Sequence, residues 1–474
     1  MNKLLFLFIL VLSTISIGYG QTASDYTESG NVKFDNQDYK GAIEEYTKAL
    51  QLNPKLDSVI IDIGLSKYYI QDYVGALEDL TKAIALNPRN AVAYYNRGLV
   101  KLSKEDYTAA IVDFSKAIEY DSVLSEAYHL RGWGKNLMKD YSGAIVDISK
   151  SIKLDSSTSM TFFRRGLVEK QLQNYKNSEE DFTSAIALDS TVAEYYNYRG
   201  VVRNISGDTL SAFNDYTKAI ELDSMNYYAR RNRAILKNAA KDYSGALIDY
   251  NKAIEINPKY SAAFNGRGIT KSLMKDYSAS ILDYTKAIDL ETDNYIAYFN
   301  RGLSYKGLKN HLYAIADFSK TIAINPTDFS AFAERGRSKI EIKDYTGAIE
   351  DYTKVIQHDS SNTTALNNRG YAKYELHDYD GAIQDCSLAI SKDAKFSVAY
   401  TTRADAKAKL KDYTGAMIDY SKALELDPKD SDAYLGRGSI KHTLNDTVGA
   451  CADWRKAGEL GKGEADSFIK EHCK

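Results

Sequence analysis

Cysteine is almost missing from this chain, with three residues in 474, too few for a disulfide-framework module of such length. Proline occurs only five times, which excludes a proline-rich linker or a low-complexity chain. Neither charge dominates: 61 Lys and Arg oppose 64 Asp and Glu for a net −3, so no strongly basic field draws the protein to nucleic acid or anionic lipid. Past the N-terminus no apolar run is long enough to hold the chain in a membrane. Length alone suggests about three globular domains at roughly 150 residues each. What is plentiful is tyrosine, 38 against 15 Phe and 2 Trp. One aromatic used that often points to a single structural position copied many times.

Met1-Asn2-Lys3 leads into an apolar run from Leu4 to Ile17, followed by Gly18-Tyr19-Gly20-Gln21. One positive charge, a short hydrophobic core and small residues two apart are the parts of a secretory signal peptide over residues 1–20, with cleavage expected after Gly20. Loss of Lys3 takes the net charge from −3 to −4. The mature protein is expected to be exported, periplasmic or extracellular in a bacterium, with no membrane span once the signal is removed.

Gly30, Gly64, Gly98, Gly132, Gly166 and Gly200 fall 34 apart, and the series continues through Ala234, Gly268, Gly302, Gly336, Gly370, Ala404 and Gly438. With these set at phase 8, residues 23–464 divide into thirteen 34-residue units (23–56, 57–90, 91–124 and so on to 431–464) without an insertion or deletion. Phase 20 is Ala in eleven units and Ser in two (Ser178, Ser280). Phase 24 is aromatic in ten, with Leu80, Ile148 and Cys386 as exceptions. All five prolines occupy phase 32, and proline just past a helix end cannot continue it, so this phase marks a turn. An Asp-Tyr pair at phases 16–17, as in Asp106-Tyr107, marks a second break. Between the breaks, apolar residues such as Ala110, Ile111, Phe114, Ala117 and Ile118 keep helical spacing. Each unit therefore reads as two antiparallel helices, A over about phases 2–14 and B over about phases 17–30.

A 34-residue helix–turn–helix unit with small residues at phases 8, 20 and 27 resembles the tetratricopeptide repeat, TPR. Runs such as AYYNRGLVKLSKEDYTAAIVDFSKAIEYDS, residues 93–122, are similar to the Arg-Gly variety common in bacterial TPR proteins. The chain departs from the general pattern at phase 7, where Leu is usual and Arg stands. The resemblance covers residues 23–464 and implies an all-α fold: a right-handed superhelical solenoid of 13 helix–turn–helix units. Residues 465–474 read as a capping helix laid on helix B of repeat 13. Cys451 lies on that helix B and Cys473 on the cap, so in an oxidising compartment they are a candidate disulfide; the alternative is two free thiols. Cys386, at core phase 24, reads as an inert buried thiol.

Comparing repeats separates scaffold from recognition, because a phase that never changes solves a packing problem common to every unit. Eleven repeats carry Arg at phase 7, from Arg97 to Arg437, and the same eleven carry Asp at phase 23. Both phases lie about equally far from the hairpin turn, so they should face each other as a structural ladder: Arg97–Asp113, Arg131–Asp147, Arg233–Asp249, Arg301–Asp317 and their equivalents. Lysines at phases 11 and 26 are expected on solvated faces with i,i+4 partners. Asp-Ser-Val (121–123), Asp-Ser-Thr (189–191) and Asp-Ser-Met (223–225) resemble the O-glycosylation acceptor of some exported bacterial proteins, but ordinary turn and cap chemistry at phases 31–32 is the favoured reading.

Phases 2, 5 and 12 share one face of helix A and vary from repeat to repeat. In TPR proteins that face lines the concave groove where peptides or protein partners bind, so the resemblance implies partner contacts there. Repeats 3–5 place Tyr95, His129, Trp133, Met160 and Phe163 on this side, repeats 6–8 Asn197, Asn204, Arg231, Asn238 and Asn265, and repeats 9–11 Phe299, Tyr371 and Tyr374. Aromatics flanking an amide-rich centre suit an extended polypeptide, rings supplying area and Asn pairing with backbone. The alternative is that the rings pack within the inner wall. The TPR carboxylate clamp for chaperone tails needs Lys at phase 5 and Asn at phase 9; no repeat has the first and only Asn31 has the second, which disfavours that partner class.

No His-Glu-x-x-His, Gly-x-Ser-x-Gly or P-loop string occurs among the six histidines and the glycines. Ten residues follow repeat 13, leaving no room for a catalytic domain after the array. The expectation is a non-enzymatic protein–protein interaction scaffold, without cofactor or metal, that binds protein or extended peptide in the cell envelope and belongs to an envelope complex. Two other readings remain: a carbohydrate- or cell-wall-binding protein using the concave aromatics as sugar platforms, and an accessory subunit that docks through its convex surface.

Overall fold

The computed structural model describes residues 21–473, so the signal-peptide reading at 1–20 lies outside the described residues. Among the described residues there are 27 helices and no strand, running as thirteen consecutive helix–turn–helix pairs and one final helix. Helix A of each repeat has 13 residues and helix B 14, except for a 13-residue helix B in the last pair. The chain falls into two compact units, one up to Asn232 and one from Arg233.

The hairpin turn is built the same way within both units. In repeat 3, helix A (Ala91–Ser103) ends on two closing bonds, from Glu105 N–H to Leu102 O (3.0 Å) and from Asp106 N–H to Lys101 O (3.0 Å), the Schellman pattern. Asp106 then caps helix B (Tyr107–Tyr120) by accepting the Ala109 N–H at 3.1 Å. One aspartate thus ends one helix and starts the next, which explains the Asp-Tyr break and shifts helix A one residue earlier than its spacing suggests. The residue before this position, which is Asp in eleven repeats and Asn174 or Asn310 in the other two, is left-handed in every repeat, with φ between 58° and 66° at twelve non-glycine residues and 90° at Gly207. Such a conformation costs an L-residue about 1–2 kcal/mol; the paired closing bonds hold it, helped by the Asp cap except at Gln173 and Lys309, where Asn174 and Asn310 make no side-chain cap. At the other break, Asp121, Asp189 and Asp223 each accept the N–H two residues on, so the Asp-Ser-x tripeptides form Asx turns.

Within each hairpin the phase-8 and phase-24 residues meet. A Cβ added at Gly302 would lie 2.7 Å from Phe318 Cε1, so the helices approach as closely as a glycine allows. Phe318, Phe114 and Phe182 are fully buried against these glycines, as are the phase-20 alanines. Core clusters join neighbouring repeats: Phe163, Phe182, Ala185, Tyr195 and Val202 in the first unit, Tyr352, Val355, Ala365 and Ala372 in the second. Each repeat is closed by the one beside it.

The arginine ladder is present at all eleven positions, each guanidinium gripping its aspartate through Nε and Nη2 at 2.6–3.0 Å. Nη1 reaches back to the preceding repeat, as Arg301 does to Thr285 (2.9 Å) and Arg131 to Ser115 (3.2 Å). Arg301 also lies 5.5 Å over the Tyr298 ring of its own helix. The phase-11 lysines do not form the expected i,i+4 pairs. They cross the hairpin to the same carboxylate, Lys101 to Asp113 at 2.6 Å and Lys407 to Asp419 at 2.7 Å, because that buried anion attracts more strongly than a solvated neighbour. Several phase-26 lysines pair at i,i+3, as in Lys252–Glu255 at 2.6 Å. The partner set decides the acidity of the aspartate. Burial raises Asp249, but Arg233 and Lys237 outweigh it and hold the carboxyl below its ordinary value. Repeat 5 has Glu169 where Lys usually stands, and there burial wins: Asp181 is raised.

The last helix, Glu464–His472, packs Ala465, Phe468 and Ile469 against Trp454 and Ala457 of the preceding one. Cys451 and Cys473 are disulfide-bonded, with their Cα atoms 5.6 Å apart. Cys386 is a free, buried thiol pushed up to about 12, chiefly by burial.

Two outcomes test these joints. Arg301→Met strands Asp317 as a buried charge and should lower stability by about 3–5 kcal/mol, while adding Asp317→Leu should recover most of the loss; urea unfolding followed by circular dichroism measures both. Cys473→Ser opens a cross-link spanning 22 residues and should cost the C-terminal end about 3 kcal/mol, read as faster hydrogen exchange in Thr447–Glu459. The unreduced denatured wild type should titrate a single free thiol.

Candidate partner-binding face of helix A

In the first unit, the inner-face residues of repeats 3–5 converge on a residue not singled out by the sequence. Arg164 places Nη1 3.2 Å from His129 Nε2, and its guanidinium lies 4.8 Å over the Trp133 ring. Arg164 offers only N–H donors, so His129 accepts at Nε2 and carries its proton at Nδ1, 3.4 Å from Thr161 Oγ1. Arg164 forms no ion pair among the described residues. Burial lowers it to about 10, and burial together with the charge of Arg164 lowers His129 to about 3. Tyr95, in the same group, has its phenol raised to about 12, mainly by burial. The arrangement presents one positive charge, backed by a neutral imidazole and an indole, to an anionic group. Arg164 stands at phase 6, which is Asn in four repeats (Asn96, Asn232, Asn300, Asn368) and varies in the rest, so there was little signal for it in the sequence.

The other residues of this unit divide between packing and recognition. Phe163 is 6% exposed, its ring 4.8 Å from Tyr195 and 5.6 Å from Phe182, so it belongs to the inter-repeat core. Met160 is exposed and Asn204 half-buried. Asn197 is buried and accepts from Asn232 Nδ2 at 3.1 Å, while Arg231 Nη1 donates to Asn232 Oδ1 at 3.1 Å.

The second unit repeats this motif. Asn300 Nδ2 donates to Asn265 Oδ1 at 3.3 Å, a step of 35 residues like those from Asn232 to Asn197 and from Arg164 to His129. A phase-6 donor reaching the phase-5 acceptor of the repeat before it is therefore an inter-repeat joint, and these amides hold neighbouring repeats together. Asn238 Nδ2 donates to Thr270 Oγ1 at 2.9 Å, but its Oδ1 is buried without a partner among the described residues. Phe299 packs 5.6 Å from Phe318.

Tyr371 and Tyr374 lie elsewhere, on the wall of a groove of about 1050 Å³. Helix A of repeats 11, 12 and 13 (Thr363–Glu375, Ser397–Lys409, Ser431–Thr443) and the final helix (Glu464–His472) supply its walls. Six carboxylates (Glu375, Asp405, Asp427, Asp430, Asp432, Glu464) and three lysines (Lys409, Lys429, Lys462) line it. Asp405 accepts the Tyr420 hydroxyl at 2.5 Å. Burial, reinforced by Asp432 and Asp430 against the pull of Tyr420 and Lys409, raises its carboxyl to about 7. Tyr371 is 37% exposed and Tyr374 half-buried, both phenols raised to about 12 chiefly by burial. Among the described residues no group of three or more His, Cys, Asp or Glu side chains is placed to hold a metal ion, and no helix is long and apolar enough to cross a membrane.

Family models described as TPR repeat match residues 64–104, and models described as tetratricopeptide repeat match residues 26–56, 91–123, 334–395 and 397–430. No curated protein matches the sequence significantly. Among solved structures, the APC/C hetero-tetramer Cut9–Hcn1 is similar at a TM-score of 0.46 and 15% identity, over 95% of this chain and 96% of that one. Yeast Tom70 is similar at 0.35 and 16%, over 95% of each chain. YrrB, described as a TPR protein with an unusual peptide-binding site, is similar at 0.35 and 24%, over 40% of this chain and 96% of its own. At such scores these likenesses say nothing about partners.

The lowered His129 has a measurable consequence. Below about pH 6.5 the unfolded imidazole binds a proton that the folded one refuses until about pH 3. The stability from this group is therefore fully present above 6.5 and lost as pH falls, by up to about 1.4 kcal/mol per pH unit. Chemical unfolding of wild type and His129→Gln between pH 7 and pH 4 should show that extra loss in wild type alone.

Proposed function

Because the chain is a tetratricopeptide-repeat protein, we propose that it acts as a non-enzymatic interaction scaffold that holds peptide or protein partners against its helix A faces, in the bacterial envelope after export. The groove in the second unit carries this reading. It draws its walls from three successive repeats and the final helix, and it offers two tyrosines and a mixed set of charges over a length suited to several residues of extended chain. Large aromatic area beside satisfiable polar groups is what polypeptide recognition uses. The Arg164 cluster adds a second contact point, a cation for an acidic group. Export is supported by the charge, apolar run and small residues of 1–20, and by a disulfide that an oxidising compartment preserves.

The glycan reading has less behind it. A sugar platform needs an open ring face, whereas Trp133 is covered by Arg164 and Phe163 is buried in the core.

Affinity capture from envelope extract with mature 21–474, read by mass spectrometry, tests the scaffold. A parallel bait carries Tyr371→Ser and Tyr374→Ser and is checked for unchanged helicity. A protein held by the first bait and lost from the second is the expected result. Equal capture would move the site off this groove. Retention on peptidoglycan with no captured protein would favour glycan binding.

A further inference from the structure

Phase 9 of helix A is a packing position in most repeats: Leu65, Leu99, Leu167, Val201, Ile235, Ile269 and Leu303 occupy it. Repeat 12 has Asp405 there instead. Part of the reason is local, since the carboxylate accepts the hydroxyl of the core residue Tyr420. Repeat 1 shows, however, that this task needs no charge: Asn31, at the same phase, accepts the equivalent hydroxyl of Tyr46 at 2.8 Å. An acid in place of the amide adds a titratable negative charge and nothing that the phenol requires.

That charge is placed where a ligand could use it. Asp405 lines both the 1050 Å³ groove and an adjoining pocket of about 270 Å³ shared with Tyr374, Tyr413 and Gly436. Only Oδ1 is engaged by Tyr420. Lys409, one turn further along the helix, makes no ion pair with it among the described residues. The neighbouring acids are already directed elsewhere, Asp430 accepting from Thr401 at 2.7 Å and Asp432 pairing with Lys462 at 2.6 Å. Six carboxylates against three lysines leave the groove negative, and Tyr374 offers an aromatic face beside the free carboxylate, the pair of features that binds an organic cation.

We propose that Asp405, with Tyr374, forms a subsite in this groove for a cationic side chain, lysine or arginine, of the bound polypeptide. The proposal rests on the groove being a polypeptide site and adds the sign of the charge it selects. The groups facing Asp405 are Tyr374 from repeat 11, Cys386 from helix B of repeat 11, Tyr420 from helix B of repeat 12, Lys409 on its own helix, Asp430 and Asp432 at the start of helix A of repeat 13, and Lys462, which is paired with Asp432, ahead of the final helix. With a carboxyl that titrates near 7, the folded protein gains the anion, and with it the subsite, as pH rises from 6 to 8.

Fluorescence anisotropy with mature 21–474 tests it, using labelled, end-blocked octapeptides that alternate glycine with lysine, with arginine or with uncharged norleucine. Binding of at least one cationic peptide and not the norleucine one is expected, tightening from pH 6 to pH 8; whichever of the lysine and arginine peptides binds tighter identifies the preferred cation. Asp405→Asn, which keeps an acceptor for Tyr420 as Asn31 does for Tyr46, should weaken that binding about tenfold or more and flatten its pH dependence. Asp293→Asn, removing the same charge outside the groove, should change neither. Equal binding by Asp405→Asn, equal binding of the norleucine peptide, or no binding of either cationic peptide would overturn the proposal. If the tyrosine variant still loses its captured partner while Asp405→Asn retains it, the cation subsite fails and the scaffold reading stands. If the tyrosine variant loses nothing, the polypeptide reading of the groove fails with it.

Discussion

A guanidinium that donates in three directions closes eleven of the thirteen hairpins of this protein, from Arg97 to Arg437. The phase-7 arginine holds the phase-23 carboxylate with two parallel bonds, reaches the preceding helix B with its remaining nitrogen, and lies over an aromatic ring of its own helix. A hydrophobic seam alone would let the two helices of a hairpin slide or rotate, since burial is non-directional. A fork that fits one carboxylate in one orientation fixes their register. The ion pair is buried enough that its net contribution to stability is modest, whereas losing one partner is costly. Its value to the fold is therefore geometric, and it explains why the period is kept without insertion across the array.

Once register is set from phases 7, 8, 20, 23 and 24, variation is confined to the inner side of helix A, and even there it is not free. Side chains at phases 5 and 6 meet across successive repeats, so a residue available for recognition is often a joint as well. Asn197 and Asn265 show the compromise: their amides, well suited to a partner's backbone, are each engaged by the asparagine 35 residues on. Departures from this arrangement are more informative than conformity. Arg164 stands at phase 6, which is Asn in four repeats, and Asp405 at phase 9, which is aliphatic in seven, and neither is neutralised by an ion pair among the described residues. A buried charge without a counter-ion lowers stability, and packing gives no reason to keep it, which is why both point toward a ligand.

Much of the architecture was legible in the sequence because repetition supplies its own control. The helix boundaries followed from Pro at phase 32 and Asp-Tyr at 16–17, and the ladder from the shared occurrence of Arg and Asp. Features that depend on hydrogen-bond geometry with ordinary residues stayed hidden. The left-handed residue before each aspartate was one, because the usual marker, glycine, appears there only at Gly207. The lysine stripe was another: residues 12 apart in sequence are not neighbours on any one helix, and only the closed hairpin brings Lys101 to Asp113. The sequence put its candidate recognition residues on helix A, where the structure leaves some exposed, such as Met160 and Tyr371, and buries others, such as Phe163 and Asn197. It could not separate Phe163, which turns into the core, from Tyr371, which does not, since both are aromatic residues on the inner side of helix A. Phase 6 went unread because it varies, with Asn in four repeats and Glu28, Asp62, Tyr198 or Gly266 among the rest, so an arginine there does not stand out.

Stacks of this kind also determine how far a local change travels. Each hairpin contacts its neighbours and little else, so stability is close to a sum of repeat and interface terms. A charge such as Asp405 therefore burdens repeats 11 to 13, where the disulfide and the packing of Trp454 on Phe468 reinforce the end of the chain. The groove and its reinforcement occupy the same few repeats. A groove whose walls frayed would lose affinity to the entropy of ordering them on binding. Covalent closure of the final helix thus preorganises the wall that it helps to form. The cross-link and Asp405, which lies three helices before Cys451, thus bear on one negatively charged cleft, the first by fixing its wall and the second by adding to its charge.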